Sequence, residues 1–227
     1  MKSFLIVFCL IGFWQTDSKA QQVRFVAKYG NEMLNTFPNT VKGKNGDTIE
    51  FSVLKFYISN LEFRKNGIPV YSPKEQYHLV DFGIEHSAVL NFDARKKIHF
   101  DEFVFDIGID SATNSAGALG GALDPTVGMY WTWQNGYIHF KLEGKSSRCF
   151  ARNHQFEFHI GGYYSPFNTL QKIRIPAQKN IECTIEIDLA ILMESIDLAT
   201  VHHIMSPCTE AVRFSQQFPF IFYSANR

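Results

Sequence analysis

Ile181, Cys183, Ile185, Ile187 and Leu189 occupy every second position of one stretch. Side chains on a strand alternate between its two faces, so this spacing fits a half-buried strand and not a helix. The pattern recurs. Phe156, Phe158 and Ile160 alternate with Glu157 and His159, and Ile138, Phe140 and Leu142 alternate with Tyr137, His139 and Lys141. Val23–Lys28, Thr48–Phe63, Tyr77–Phe82, Ile98–Ile109 and Leu170–Ile175 also read as strands, with a phase shift at Asp101-Glu102 that suits a bulge. Turn signals separate them, among them Asn45-Gly46-Asp47, Asn66-Gly67 and Asn135-Gly136. Phe 22 and Tyr 9 add to the strand bias. These segments predict an all-β fold, a single β-sandwich that is mostly antiparallel. Residues 110–128 read as one long loop. Ser206 as N-cap and Pro207 at the first helical position predict one short C-terminal helix near 207–217. There is no internal repeat or linker, so residues 21–227 are expected to form one domain.

Residues 1–20 read as a signal peptide. Lys2 provides the charged start, Phe4–Trp14 is an apolar run too short to span a bilayer, and Ser18-Lys19-Ala20 suits cleavage. No later stretch is apolar enough to be a transmembrane segment. A periplasmic or secreted protein is therefore expected. The 22 basic and 22 acidic side chains cancel, which argues against a nucleic-acid binder and against a polybasic membrane module. Removal of the leader also removes Cys9 and leaves Cys149, Cys183 and Cys208. Three thiols in an oxidising compartment predict at most one disulfide and at least one unpaired cysteine.

Enzyme signatures are missing. The chain has no G-x-S-x-G, no P-loop, no dinucleotide glycine fingerprint, no HExxH and no CxxC. A protein with no turnover of its own is expected. Asp110, Asn114 and Asp124 offer oxygen ligands in the long loop, but their spacing matches no EF-hand and ordinary turn roles are preferred.

The densest functional stretch is Gly120–Gly144. It holds Tyr130, Trp131, Trp133, Tyr137 and His139. A tight turn at Asn135-Gly136 would pair Trp133 with Ile138 and Trp131 with Phe140, placing both indoles on one apolar face. The plain reading is then two core tryptophans beside a turn. The functional reading is an aromatic-walled site where a long loop meets strand ends. His139 and His159 fall on the polar faces of their strands, and histidines of adjacent strands are close enough to share a metal. His202-His203-Ile204-Met205 combines imidazole with thioether, a donor set that favours copper, Cu(I) above all. Against this, a lone strand histidine is commonly just a hydrogen-bonded surface or core residue, and Met is a common core filler.

Several tags stand in a telling order. They are Phe56-Tyr57-Ile58-Ser59-Asn60, Gly108-Ile109-Asp110-Ser111, Leu123-Asp124-Pro125 and Gly128-Met129-Tyr130-Trp131-Thr132-Trp133. Gly136-Tyr137, Leu142-Glu143-Gly144 and Phe158-His159-Ile160-Gly161 follow. Together they resemble the MbnP-like family of methanobactin-associated, secreted bacterial copper-binding proteins. The resemblance implies a β-sandwich that binds copper. It implies a tryptophan oxidised to kynurenine by a partner di-haem peroxidase, the modified residue then helping histidines hold the metal. Carried onto this sequence, Trp131 or Trp133 is the modified residue and His159 a ligand. Some copper-binding relatives carry a histidine two residues after the modified tryptophan, where Trp133 or Asn135 stands here.

Two readings follow. In the first, a secreted copper-binding protein uses His159, with His139, His202, His203 and Met205 as further ligand candidates and Trp131, Trp133, Tyr130 and Tyr137 lining the site. In the second, a non-catalytic β-sandwich module uses the same aromatic residues as a platform for carbohydrate or another surface. Adjacent exposed tryptophans would favour the second, and tryptophans lining a histidine-bearing cavity the first.

Overall fold

The computed structural model describes residues 21–44, 46–92, 98–134, 136–177 and 182–225. The proposed leader, residues 1–20, lies outside them. Fifteen strands are present among these residues: β1 (Gln21–Tyr29), β2 (Glu32–Met33), β3 (Asn39–Lys42), β4 (Thr48–Lys65), β5 (Ile68–Tyr71), β6 (Tyr77–Asp81), β7 (Val89–Phe92), β8 (Glu102–Ile107), β9 (Tyr130–Trp131), β10 (Gly136–Ser146), β11 (Gln155–Gly161), β12 (Gln171–Pro176), β13 (Glu182–Asp188), β14 (His203–Ile204) and β15 (Phe222–Ser224). The fold is all-β, as the alternation predicts.

The smaller sheet runs β15-β13-β1-β2, with β7 also on β1. The larger runs β12-β8-β4-β10-β11-β14, with β3, β5 and β6 on β4 and β9 on β10. β4 spans both ends of the larger sheet. Its first half pairs with β10 and its second half with β8. The described pairings are antiparallel except β1 with β13 and β11 with β14.

The alternating apolar residues meet between the layers. Phe25 of the smaller sheet stands edge-on to Phe56 and Phe105 of the larger, at 5.8 Å in each case. Phe222 meets Phe56 at 5.4 Å from a third direction. Each such fully buried ring is worth about 1.5–3 kcal/mol, so the aromatic content goes mainly into this core.

Two local expectations are corrected. The 98–109 stretch becomes a strand only from Glu102, so the phase shift at Asp101-Glu102 marks the start of β8. The bulge lies on the partner strand, between Ser59 and Glu62 of β4, where Asn60 has a φ of 49°. Ile98 and Phe100 still pack on the core from outside the strand.

Helices are short. α1 (Ser111–Ser115) opens the long loop and α2 (Leu189–Glu194) follows β13. α3 (Thr209–Ser215) is the expected C-terminal helix, and α4 (Phe218–Ile221) comes directly after it. The N-cap of α3 is Cys208, not Ser206, because the Cys208 sulfur accepts from Ala211 N at 3.4 Å. α3 and α4 close the open side of the sandwich. Phe218 packs 4.7 Å from Phe140, and Phe214 packs 5.1 Å from Phe158.

The 110–128 segment has no strand, but it is built. Asp110 caps α1 through Thr113 N, and Asp124 caps a 3-10 turn through Thr126 N. The turn reading of these carboxylates therefore holds. The segment lies over the outside of the larger sheet and seals a second, smaller core made of Tyr57, Ile109, Leu123, Met129, Trp131, Tyr137 and Ile138.

Candidate metal centre

The second core sits where β9, β10 and the end of β11 converge. In the β9–β10 hairpin, Trp131 pairs with Gly136 and Tyr130 with Tyr137. The Trp131 carbonyl also accepts from Gln134 N at 3.3 Å. The register expected from a two-residue turn is therefore not adopted, because Trp131 pairs with Gly136 and not with Phe140. Asn135 itself lies outside the described residues. As a result the two indoles part. Trp131 is 5% exposed and Trp133 is 66% exposed. Their rings still touch, with centroids 6.0 Å apart.

A glycine makes the slot for Trp131. A Cβ on Gly161 would come within 2.8 Å of indole Cζ3 and 2.5 Å of the Tyr137 carbonyl oxygen. Inside the slot the Trp131 indole N–H is buried and has no hydrogen-bond partner among the described residues. Gly161 and His159 are two residues apart on β11, with Ile160 between them pointing into the main core. His159 therefore lies on the same outer face as the Gly161 slot that holds Trp131, the two β11 positions being about 7 Å apart along the strand.

His159 is 7% exposed and held by a carboxylate. Its Nε2 lies 2.7 Å from Glu143 Oε1, and Lys141 Nζ lies 3.1 Å from the same oxygen. The hydrogen bond from His159, aided by the charge of Lys141, holds the Glu143 carboxyl down at about 2. An ionised carboxylate only accepts, so Nε2 donates. In neutral His159 that leaves Nδ1 as the lone-pair nitrogen, the arrangement by which a carboxylate orients a metal-binding histidine.

The other predicted residues are placed as follows. His139 faces inward, not onto a polar surface, and is fully buried. Its Nδ1 meets Thr169 Oγ1 at 3.0 Å and its Nε2 meets Asn114 Nδ2 at 3.5 Å. Burial pushes it down to about 3, so it is neutral. Asn114 donates to Nε2, hence Nδ1 carries the proton toward Thr169. The structure does not bring His139 to His159.

β14 lies beside β11, pairing Glu157 with His203 and Phe158 with Ile204. His203 Nδ1 is 3.3 Å from Glu157 Oε2. Met205 follows Ile204, one position beyond this pairing. His202 Nδ1 is buried without a partner among the described residues. Tyr137 is fully buried, with its ring 4.9 Å from that of Tyr130. Its hydroxyl accepts from Leu119 N at 2.9 Å and donates to Leu123 O at 3.0 Å, which pins the long loop.

Sequence reasoning passed over Thr169 and gave neither Glu143 nor Asn114 the role it has in organising this region. Glu143 orients His159, Thr169 bonds His139, and Asn114 takes Tyr137 N on its Oδ1 at 2.9 Å while donating to Ile109 O at 2.8 Å. Glu143 did carry a signal, since it belongs to the Leu142-Glu143-Gly144 tag. Among the described residues, no group of three or more His, Cys, Asp or Glu side chains stands ready to hold an ion. No described helix is long and apolar enough to cross a membrane.

Comparison with known proteins agrees with this architecture. A solved structure, MbnP from Methylosinus trichosporium, is similar over 85% of this chain and 86% of that one, with a TM-score of 0.59 at 14% identity. At that identity the likeness is one of fold. No curated protein matches the chain. The family model for MbnP matches residues 18–208, which includes both tryptophans, His159 and the His202–Met205 segment. The chain belongs to the MbnP family.

Proposed function

We propose that the chain is a periplasmic or secreted copper-binding protein with no turnover of its own, and that it binds the ion beside Trp131 and His159. One observation carries this reading. A buried indole whose N–H lacks a partner among the described residues lies on the same sheet face as a histidine already oriented by an ionised carboxylate. An uncompensated polar group in an apolar pocket is costly, and a redox role is one of the explanations such a group calls for. Oxidation of Trp131 to kynurenine, by a di-haem peroxidase of the kind the family resemblance implies, would add polar donor atoms there.

The residues present fit copper better than a hard ion. His159 offers Nδ1, Met205 directly follows the stretch paired with β11, and the buried His202 Nδ1 lacks a partner among the described residues. Imidazole and thioether select copper, and thioether favours Cu(I). Copper is here a cargo ion, held rather than used. His203, paired with Glu157, lies at the rim. His139 serves as a positioning residue that ties β10 to Thr169 and the long loop. The alternative platform reading needs two exposed indoles, and only Trp133 is exposed.

The test is Cu(I) competition titration of the processed chain, with and without prior oxidation of Trp131. His159→Ala is expected to lower affinity at least tenfold in the oxidised form. Equal affinity in parent and variant removes His159 from the site.

A further inference from the structure

Trp131 and Trp133 are two residues apart, in ring contact at 6.0 Å and 45°, yet one is 5% exposed and the other 66%. The pair thus links solvent to the slot beside His159 through two indoles alone. Indoles suit one-electron transfer. A tryptophan that loses an electron can persist as a radical cation that keeps its N–H proton. A phenol that loses an electron must shed its proton, and so needs a base. Tyr137 and Tyr164 have none in their described bonds. Tyr137 donates to backbone carbonyls, and the Tyr164 hydroxyl meets the Ser115 hydroxyl at 2.9 Å. Trp131 also has no acceptor for its N–H among the described residues, so its radical cation forms without any proton transfer.

We infer that Trp133 is an electron relay through which oxidation applied at the protein surface reaches the buried Trp131. A one-electron oxidant in solution takes an electron from Trp133 and is reduced by one. Trp131 then passes an electron to the Trp133 radical cation. Trp133 returns to its neutral form and the electron hole rests on Trp131. No proton moves and no bond is made or broken in these two steps. The inference deepens the reading above, because it rests on Trp131 being the residue that is oxidised, but it does not require copper to bind. It also gives a physical reason for the long hairpin connection: that register leaves one indole outside while the other is enclosed.

The experiment uses tris(bipyridine)ruthenium(III), generated by light with persulfate as the electron acceptor, on the processed chain in air. Dissolved dioxygen traps the radicals, and peptide mass spectrometry reads the oxygenated fraction at each tryptophan. In the parent, Trp131 is expected to be oxygenated at least as much as Trp133 despite its burial. In Trp133→Phe, oxygenation of Trp131 is expected to fall at least tenfold at equal light dose. In Tyr164→Phe it is expected to change less than twofold. Trp131 emission in Trp133→Phe reports whether its slot is intact, and Trp133→Leu provides a second variant should the first disturb it. Oxygenation of Trp131 that is unchanged or increased without Trp133 overturns the relay, as does a parent oxidised at Trp133 alone. Copper titration of the photo-oxidised chain is read separately. Its failure with the relay intact refutes the copper reading and leaves the relay standing.

Discussion

The Trp131 indole occupies the space that a side chain at Gly161 would need. A Cβ there would approach indole Cζ3 to 2.8 Å and Cη2 to 3.0 Å. The third neighbour, the Tyr137 carbonyl oxygen at 2.5 Å, belongs to backbone and cannot swing away. Gly161→Ala is therefore expected to lift Trp131 out of its slot and cost about 1–3 kcal/mol, the usual range for overpacking. Tryptophan emission should shift to the red, and the thermal midpoint should fall. An unchanged spectrum would show that Trp131 does not depend on this glycine.

The same contact explains why the hairpin register was hidden in the sequence. Asn135-Gly136 signals a turn, but whether Trp131 faces Gly136 or Phe140 is decided by Gly161, some thirty residues away in the chain. The strands themselves were legible, because alternation as in Phe156, Phe158 and Ile160 records which face is buried. Facing was harder to read where a second core covers the outer surface. His139 alternates like a polar residue, yet Asn114 and Thr169 enclose it. The caps at Asp110 and Asp124 were legible as turn chemistry, but the packing of their loop onto Tyr137 was not. For the candidate site, the aromatic tags and His159 stood out. The pairing of His159 with Glu143 depends on the β10–β11 register, which no local pattern specifies.

Glu143 should leave a mark on acid stability. Its folded value of about 2 lies below its ordinary 4.5, set by the hydrogen bond from His159. A depressed carboxyl stabilises the fold fully above pH 4.5, and that contribution is lost as the pH falls toward 2. Because Glu143 is partly exposed, solvent screening reduces the effect to about 1 kcal/mol. Urea unfolding between pH 5 and 2 should show a shallower loss of stability in Glu143→Gln than in the parent. Parallel curves would mean that the 2.7 Å contact contributes no net ionic stabilisation.

His139 acts in a higher window with the same sign. Its folded value is pushed down from 6.5 to about 3 by burial. The folded state refuses a proton that the unfolded chain accepts, so stability is fully present above pH 6.5 and declines as the pH falls toward 3. His78, also lowered by burial, contributes in the same direction. Between pH 6.5 and 4.5 a single histidine of this kind accounts for on the order of 2 kcal/mol. His139→Gln keeps a polar group near Thr169 and Asn114 but does not titrate. It should start less stable at pH 7 and show a flatter decline down to pH 4.5. A decline as steep as that of the parent would assign the pH dependence to other groups.

The three cysteines outside the proposed leader provide the last test. Cys149, Cys183 and Cys208 are all unpaired in the fold. That agrees with at least one free thiol and goes further, since no disulfide forms among the described residues. The unfolded processed chain, without reductant, should therefore titrate as three thiols, whereas one disulfide would leave a single thiol. In the folded state the rates should differ widely. Cys149 is fully buried, with its sulfur 3.0 Å from the Gln155 carbonyl oxygen. Burial pushes the Cys183 thiol up to about 11, so at pH 8 only about a thousandth of it is thiolate, the reactive form. Cys208 is only half-buried at the start of α3, so it should react first. Rapid labelling of Cys183 or Cys149 at the same rate as Cys208 would show that the sheets open far more readily than their packing implies.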